Sequence, residues 1–222
     1  MLKFIKFFPF IAFLLLLTFG CSNTNNRITY DRCSELKNGC IIKNTKVEIL
    51  TNRGEFIVEL DGLNAPLTSS NFLLLANGGL YNGTSFDRSI KSPYPLLVQG
   101  GQKEFKYELE DEKQSYINKR SISINSIPLE IKLKGEKDPR YNEMIIKSDN
   151  FTRILLNHER GSLAMARFQP LDSARIKFYI TLKKMPELDG RYAVFGKVIK
   201  GMDVIDSIKE GDVILKVKEV GK

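Results

Sequence analysis

The sequence predicts a mainly β protein whose strands close into an antiparallel barrel. Short β-branched and aromatic runs recur between turn signals, among them Val47 to Thr51, Glu55 to Leu60, Phe178 to Leu182 and Tyr192 to Val198. Two segments, Pro66 to Ala76 and Gly201 to Ile208, read as helices. Closing many short strands on themselves removes exposed sheet edges and leaves an outer face for a groove.

Taken in order, the first pair of strands is a hairpin turning at Asn52-Arg53-Gly54. Pro66 falls in the first turn of the next helix, where its missing N–H is not needed, and Asn77-Gly78-Gly79 stops that helix. Phe72, Leu75 and Ala76 share its inner face. In the strand Ser85 to Ile90, alternation sends Phe86, Arg88 and Ile90 to one face. An arginine in line with two apolar residues is the odd member, either a salt-bridged surface residue or part of a groove. Gly161 to Ala166 is a buried-strand run, Pro186 to Gly190 a turn, and Val213 to Val220 a closing strand. The charged, turn-rich stretch from about 102 to 159 is too long for a plain connection, and such insertions are commonly functional loops.

A chain of 222 residues suits one domain with appendages. Lys3 and Lys6 precede an apolar run, Phe7 to Phe19, and then Gly20-Cys21, the layout of a secretory signal over residues 1–20. That 13-residue run is short of the ~20 that a bilayer-spanning helix needs. Leu17-Thr18-Phe19-Gly20-Cys21 resembles a bacterial lipobox, which implies a lipid on Cys21, a polar tether over 21–44 and a place in the cell envelope; simple secretion is the alternative. Export would put Cys33 and Cys40 in an oxidising compartment, where a disulfide is expected before a metal site. His158 is the sole histidine, so no Cys/His zinc set can be assembled and no metal is expected. It sits in a loop-like Asn157-His158-Glu159-Arg160 context that offers no Ser-His-Asp triad. The net charge of +8 comes from lysines interleaved with acids, as in Lys103 to Glu108, so the surface is solvated rather than built for nucleic acid. Contact with anionic lipid headgroups is the remaining consequence.

The motif order is the most informative feature. Phe86-Asp87-Arg88, Val98-Gln99-Gly100-Gly101, Gly161 to Ala166, Phe178-Tyr179-Ile180, Leu188-Asp189-Gly190 and Phe195-Gly196-Lys197-Val198 follow one another in a sequence that resembles the cyclophilin family of peptidyl-prolyl isomerases. The resemblance implies a closed antiparallel eight-stranded barrel over 45–222, with two capping helices and the insertion. It places Arg88 and Gln99 in the catalytic role. It gives Leu96, Leu97, Met165, Tyr179, Leu188 and Tyr192 the apolar proline pocket, and Ala166, Arg167 and Tyr179 the peptide contacts. Several positions depart from the family: Leu96 replaces a phenylalanine, Arg167 an asparagine, Lys177 a glutamine and Glu187 an aromatic residue, while Tyr94 stands close enough in sequence to supply the aromatic wall that Leu96 lacks.

The implied reaction is rotation about an X–Pro bond in a proline-containing polypeptide, by a monomer that needs no cofactor. The competing expectation is a cyclophilin-like binding module of the envelope, with the insertion as its contact surface.

Overall fold

Strands β1 (Thr45–Thr51) and β2 (Gly54–Leu60) form the expected hairpin, in register from Thr45 opposite Leu60 to Thr51 opposite Gly54. The Thr51 hydroxyl closes the turn, donating to the Gly54 carbonyl at 2.8 Å and accepting from the Arg53 N–H at 3.0 Å. The coordinates are those of a computed structural model, which describes Cys33 and residues 39–102, 126–146 and 148–221. The signal segment, Cys21 and the charged stretch Lys103 to Arg120 lie outside the described residues. Cys33 and Cys40 are joined as a disulfide, with their Cα atoms 4.8 Å apart.

The remaining barrel strands are β3 (Thr84–Ile90), β4 (Leu97–Gln102), β7 (Ser162–Met165), β8 (Phe178–Thr181), β9 (Val194–Lys200) and β10 (Val213–Glu219). Around the barrel the order is β1, β10, β3, β4, β8, β7, β9, β2, closed by the β1–β2 hairpin and antiparallel throughout. This is the architecture expected from the sequence. Helices α1 (Pro66–Asn77) and α3 (Met202–Ser207) pack against it. Alternate residues of each strand, with Phe72 and Tyr81, fill the interior. Phe72 and Phe178 meet edge to face with ring centroids 5.5 Å apart, and Phe72 lies 4.8 Å from Tyr81.

The described part of the insertion carries a small hairpin, β5 (Glu130–Ile131) with β6 (Arg140–Tyr141), and one helical turn, α2 (Ser148–Phe151). Its apolar residues Leu129, Ile131, Leu133, Ile145 and Ile154 form a second core that also takes in Ala193 of the barrel. Backbone hydrogen bonds from Ile127 to Ala174 and from Leu129 to Leu171 bind it to the domain, and two further contacts stand out. At the helix end, Ala65 gives α1 no side-chain cap, and Glu130 supplies one from 62 residues away: its carboxylate accepts from the N–H of Thr68 at 2.8 Å and of Leu67 at 3.1 Å. Tyr141 donates its hydroxyl to the same carboxylate at 2.9 Å. At the other contact, Ile145 N–H donates to the Gly190 carbonyl at 3.0 Å. Gly190 has φ +70°, and a Cβ there would lie 2.2 Å from the Ile145 oxygen, so only glycine allows this approach.

A candidate groove on the outer face of the barrel

Strand β3 does not alternate evenly. Phe86 is opposite Gly100 and Arg88 is opposite Gln99, so Asp87 is an extra residue, a β-bulge. Alternation alone would put Phe86, Arg88 and Ile90 on one face. The bulge instead turns Phe86 into the core, fully buried, and Arg88 and Ile90 outward.

Beyond the bulge, pairing builds one transverse row. Arg88 is opposite Gln99, Gln99 opposite Tyr179, Tyr179 opposite Ala164, and Ala164 opposite Val194. Directly opposed residues of a sheet share a face. The row therefore runs across the outside of five strands with its polar end at Arg88 and its apolar end at Val194. Arg88 is exposed, Gln99 is half-buried, and Arg88 has no ion pair or side-chain hydrogen bond among the described residues.

An apolar cluster separate from the barrel core lies along this row. Leu97, Ala164, Tyr179 and Val194 are buried in it, with Ile90, Leu96, Ala166, Leu188 and Tyr192 packed against them. The structure thus brings together six of the expected contact residues: Leu96, Leu97, Ala166, Tyr179, Leu188 and Tyr192. Met165 is not among them. Like Leu163, it is an inward residue of β7 in the main core, because its neighbours Ala164 and Ala166 take the outer face. Tyr94 is 68 % exposed, with Lys183 Nζ 5.9 Å from its ring centre, and supplies no wall to the cluster.

Arg167 has a role of its own. Its Nη2 and Nε donate to the Arg191 carbonyl at 2.8 and 3.1 Å, and its Nη1 to the Phe168 and Gln169 carbonyls at 2.8 and 3.1 Å. The guanidinium lies 4.9 Å over the Tyr192 ring. It ties one wall of the groove together and has few donors left over for a ligand. Lys177 pairs with Asp87, the bulge residue, at 2.5 Å.

Beneath the groove lies an arrangement with no local signature in the sequence. His158 is 1 % exposed, and both ring nitrogens are bonded: Nδ1 lies 2.7 Å from Asp189 Oδ1 and Nε2 lies 2.8 Å from the Tyr179 hydroxyl. The His158 backbone N–H also donates to Asp189 Oδ1 at 2.7 Å. Far from being an unpartnered loop residue, this histidine joins the turn before β9 to β8. Burial keeps it below the ordinary imidazole range, against the opposing pull of Asp189. Burial likewise pushes the Tyr179 phenol well up.

Residues 46–220 match the family model described as cyclophilin type peptidyl-prolyl cis-trans isomerase. The chain belongs to this family of enzymes. Among cyclophilin relatives, a peptidyl-prolyl cis-trans isomerase of Acinetobacter baylyi is 34 % identical over 172 residues, covering 75 % of this chain and 73 % of the relative. A relative from Synechocystis is 28 % identical over 184 residues, covering 78 % of this chain, and the chain spans 46 % of that relative's length. The crystal structure of cyclophilin AquaCyp293 from Hirschia baltica shares the fold, with a TM-score of 0.59 at 20 % identity over 82 % of this chain and 76 % of that one. Within this family fold the chain has leucine at position 96, lysine at 177 and an exposed glutamate at 187.

Proposed function

We propose that the chain accelerates cis–trans rotation about X–Pro bonds of exported polypeptides, with Arg88 stabilising the twisted amide. The observation that carries this reading is the placement of Arg88. It is an exposed guanidinium without a partner among the described residues, in register with Gln99 and Tyr179 and on the same face as an apolar cluster.

The chemistry needs no covalent step. Resonance in the amide sets a barrier of about 18–20 kcal/mol, and the uncatalysed exchange takes tens to hundreds of seconds. As the bond twists, the nitrogen loses conjugation and becomes a better acceptor. A guanidinium keeps its charge at any physiological pH and holds its donors in a rigid fork, so a bond from Arg88 to the prolyl nitrogen strengthens in the twisted state relative to the planar one. Gln99, opposite Arg88, orients the arginine or donates to the substrate carbonyl. Leu96, Leu97, Leu188, Tyr179 and Tyr192 hold the prolyl ring, and Ala166 leaves room for the backbone beside it. The test is acceleration of cis-to-trans conversion in a proline peptide, or of a proline-limited refolding reaction, by the full-length chain in detergent. Unchanged rates at every practical concentration would remove the catalytic reading.

The address is part of the same proposal: a signal over 1–20 and a lipid on Cys21 would hold the domain at the cell envelope. The name of the Synechocystis relative, which places that protein in the thylakoid lumen, supports an extracytoplasmic site. The parent chain is expected to follow detergent in phase separation and Cys21→Ala to stay in the aqueous phase. Identical partitioning would contradict the anchor.

A further inference from the structure

Asp189 and His158 have none of the roles above, and their hydrogen-bond chain to the Tyr179 hydroxyl gives them one. Asp189 Oδ1 lies 2.7 Å from His158 Nδ1. With an ionised carboxylate on that side, the imidazole proton belongs on Nδ1 and Nε2 is left as an acceptor. Among the described residues, the one donor within reach of Nε2 is the Tyr179 hydroxyl, at 2.8 Å. The phenol proton is therefore directed into the protein, and the ring has one preferred rotation about its Cβ bond. Two ring contacts add to this: His158 stacks on Tyr179 at 9° with centroids 5.9 Å apart, and Tyr192 meets Tyr179 edge to face at 6.0 Å. Tyr192 is itself held beneath Arg167. Tyr179 is the central member of the apolar cluster and stands opposite Gln99 in the transverse row.

We propose that His158 is a positioning residue of the isomerase groove: oriented by Asp189, it anchors the Tyr179 hydroxyl and so fixes the ring that forms the floor of the proline pocket. The proposal rests on the isomerase reading. Its physical basis is that a binding constellation must be held to about 0.5 Å by locked supporting side chains, and a displacement of ~1 Å can cost as much as ~100-fold in rate. The charged and titratable groups that face His158 are Asp189 and Tyr179, with Glu187 acting at longer range. Protonation of His158 removes the Nε2 lone pair, and the Tyr179 hydroxyl loses its acceptor. As the chain has one histidine, a titration of this bond can be assigned without ambiguity.

The experiment measures kcat/KM for a proline tetrapeptide from about pH 5 to 8 for the full-length chain in detergent, for Tyr179→Phe, for His158→Gln and for the double variant. Tyr179→Phe keeps the ring and removes one oxygen. We expect each single variant to lose on the order of tenfold in kcat/KM at neutral pH. The double variant should be no worse than the poorer single one, because both changes delete one bond. The wild-type rate should fall on the acid side, and Tyr179→Phe should be flat there. Nitrogen-15 spectra of the ring should show a single Nδ1–H tautomer whose Nε2 signal moves in Tyr179→Phe. Should His158→Gln fail to fold, the Tyr179→Phe arm decides alone. A Tyr179→Phe variant with the full wild-type rate and pH profile overturns the inference and leaves the isomerase reading standing. A wild-type chain inactive at every pH removes both.

Discussion

Arg88 and Gln99 stand directly opposite each other across β3 and β4, and they do so because Asp87 is a bulge. Without that extra residue the alternation that buries Phe86 would bury Arg88 as well. The bulge decouples the two, so one seven-residue strand supplies a core phenylalanine and, two positions on, a solvent-facing cation. Bulges of this kind commonly re-aim a side chain beside a site.

The insertion is tied to the barrel through Glu130, and that tie should be measurable. Burial pushes the Glu130 carboxyl up, and the N–H groups of Thr68 and Leu67 together with Tyr141 pull against that. Glu130→Ala leaves buried helix N–H groups without an acceptor, a loss of about 2–3 kcal/mol. For a domain of this size that corresponds to a fall of roughly 5–10 °C in the thermal midpoint. Glu130→Gln, which keeps one acceptor oxygen, should fall between. An unchanged midpoint in Glu130→Ala would mean that water caps α1 as well as the carboxylate does.

Stability should depend on pH through His158. Burial depresses its folded-state pKa below the unfolded value of ~6.5, so the unfolded chain binds the extra proton first. The contribution is fully present above about pH 6.5, declines as pH falls through the unfolded value, and levels off once the folded form is protonated too. Urea denaturation from about pH 7 to 5 should show this decline in the wild type and a flatter profile in His158→Gln. Stability that rises on acidification across that window would contradict a neutral buried imidazole.

Leu96 is partly buried against the pocket cluster, and the aromatic wall that other cyclophilins place there is missing. Leu96→Phe should improve substrate capture. At ~0.8 kcal/mol per buried CH₂ equivalent, one such group is worth about fourfold, and the gain should appear in kcat/KM for a proline peptide. A lower kcat/KM would show that the groove is already filled at this position.

Much of this was legible in the sequence, and the exceptions share a physical cause. The strands of the barrel follow from alternation and turn residues, and α1 from Pro66 and the Asn77-Gly78-Gly79 stop. The order of short motifs named Arg88, Gln99, Tyr179 and Leu188, which the fold brings to one outer face. What alternation could not supply was its own interruption at Asp87, since one inserted residue leaves composition and motif order untouched. Met165 was misplaced for a related reason: in the unbroken apolar run Leu163 to Ala166, nothing says which residues face outward. Glu130 with Leu67, and His158 with Tyr179 and Asp189, are pairs separated by 63, 21 and 31 residues, so no local pattern marks them. Tyr179 was legible as a groove residue, but its hydroxyl gains meaning only once the fold sets His158 behind it.

The most direct test of the account is Arg88→Ala, measured for kcat/KM on a proline peptide and for thermal midpoint on the same full-length preparation. Arg88 contributes to the twisted amide and not to the core, so the account predicts a loss of about 10²–10³-fold in kcat/KM, the range seen when one preorganised donor is removed, with the midpoint within about 2 °C of wild type. A variant that retains the wild-type kcat/KM, or one that loses activity only by unfolding, would contradict it.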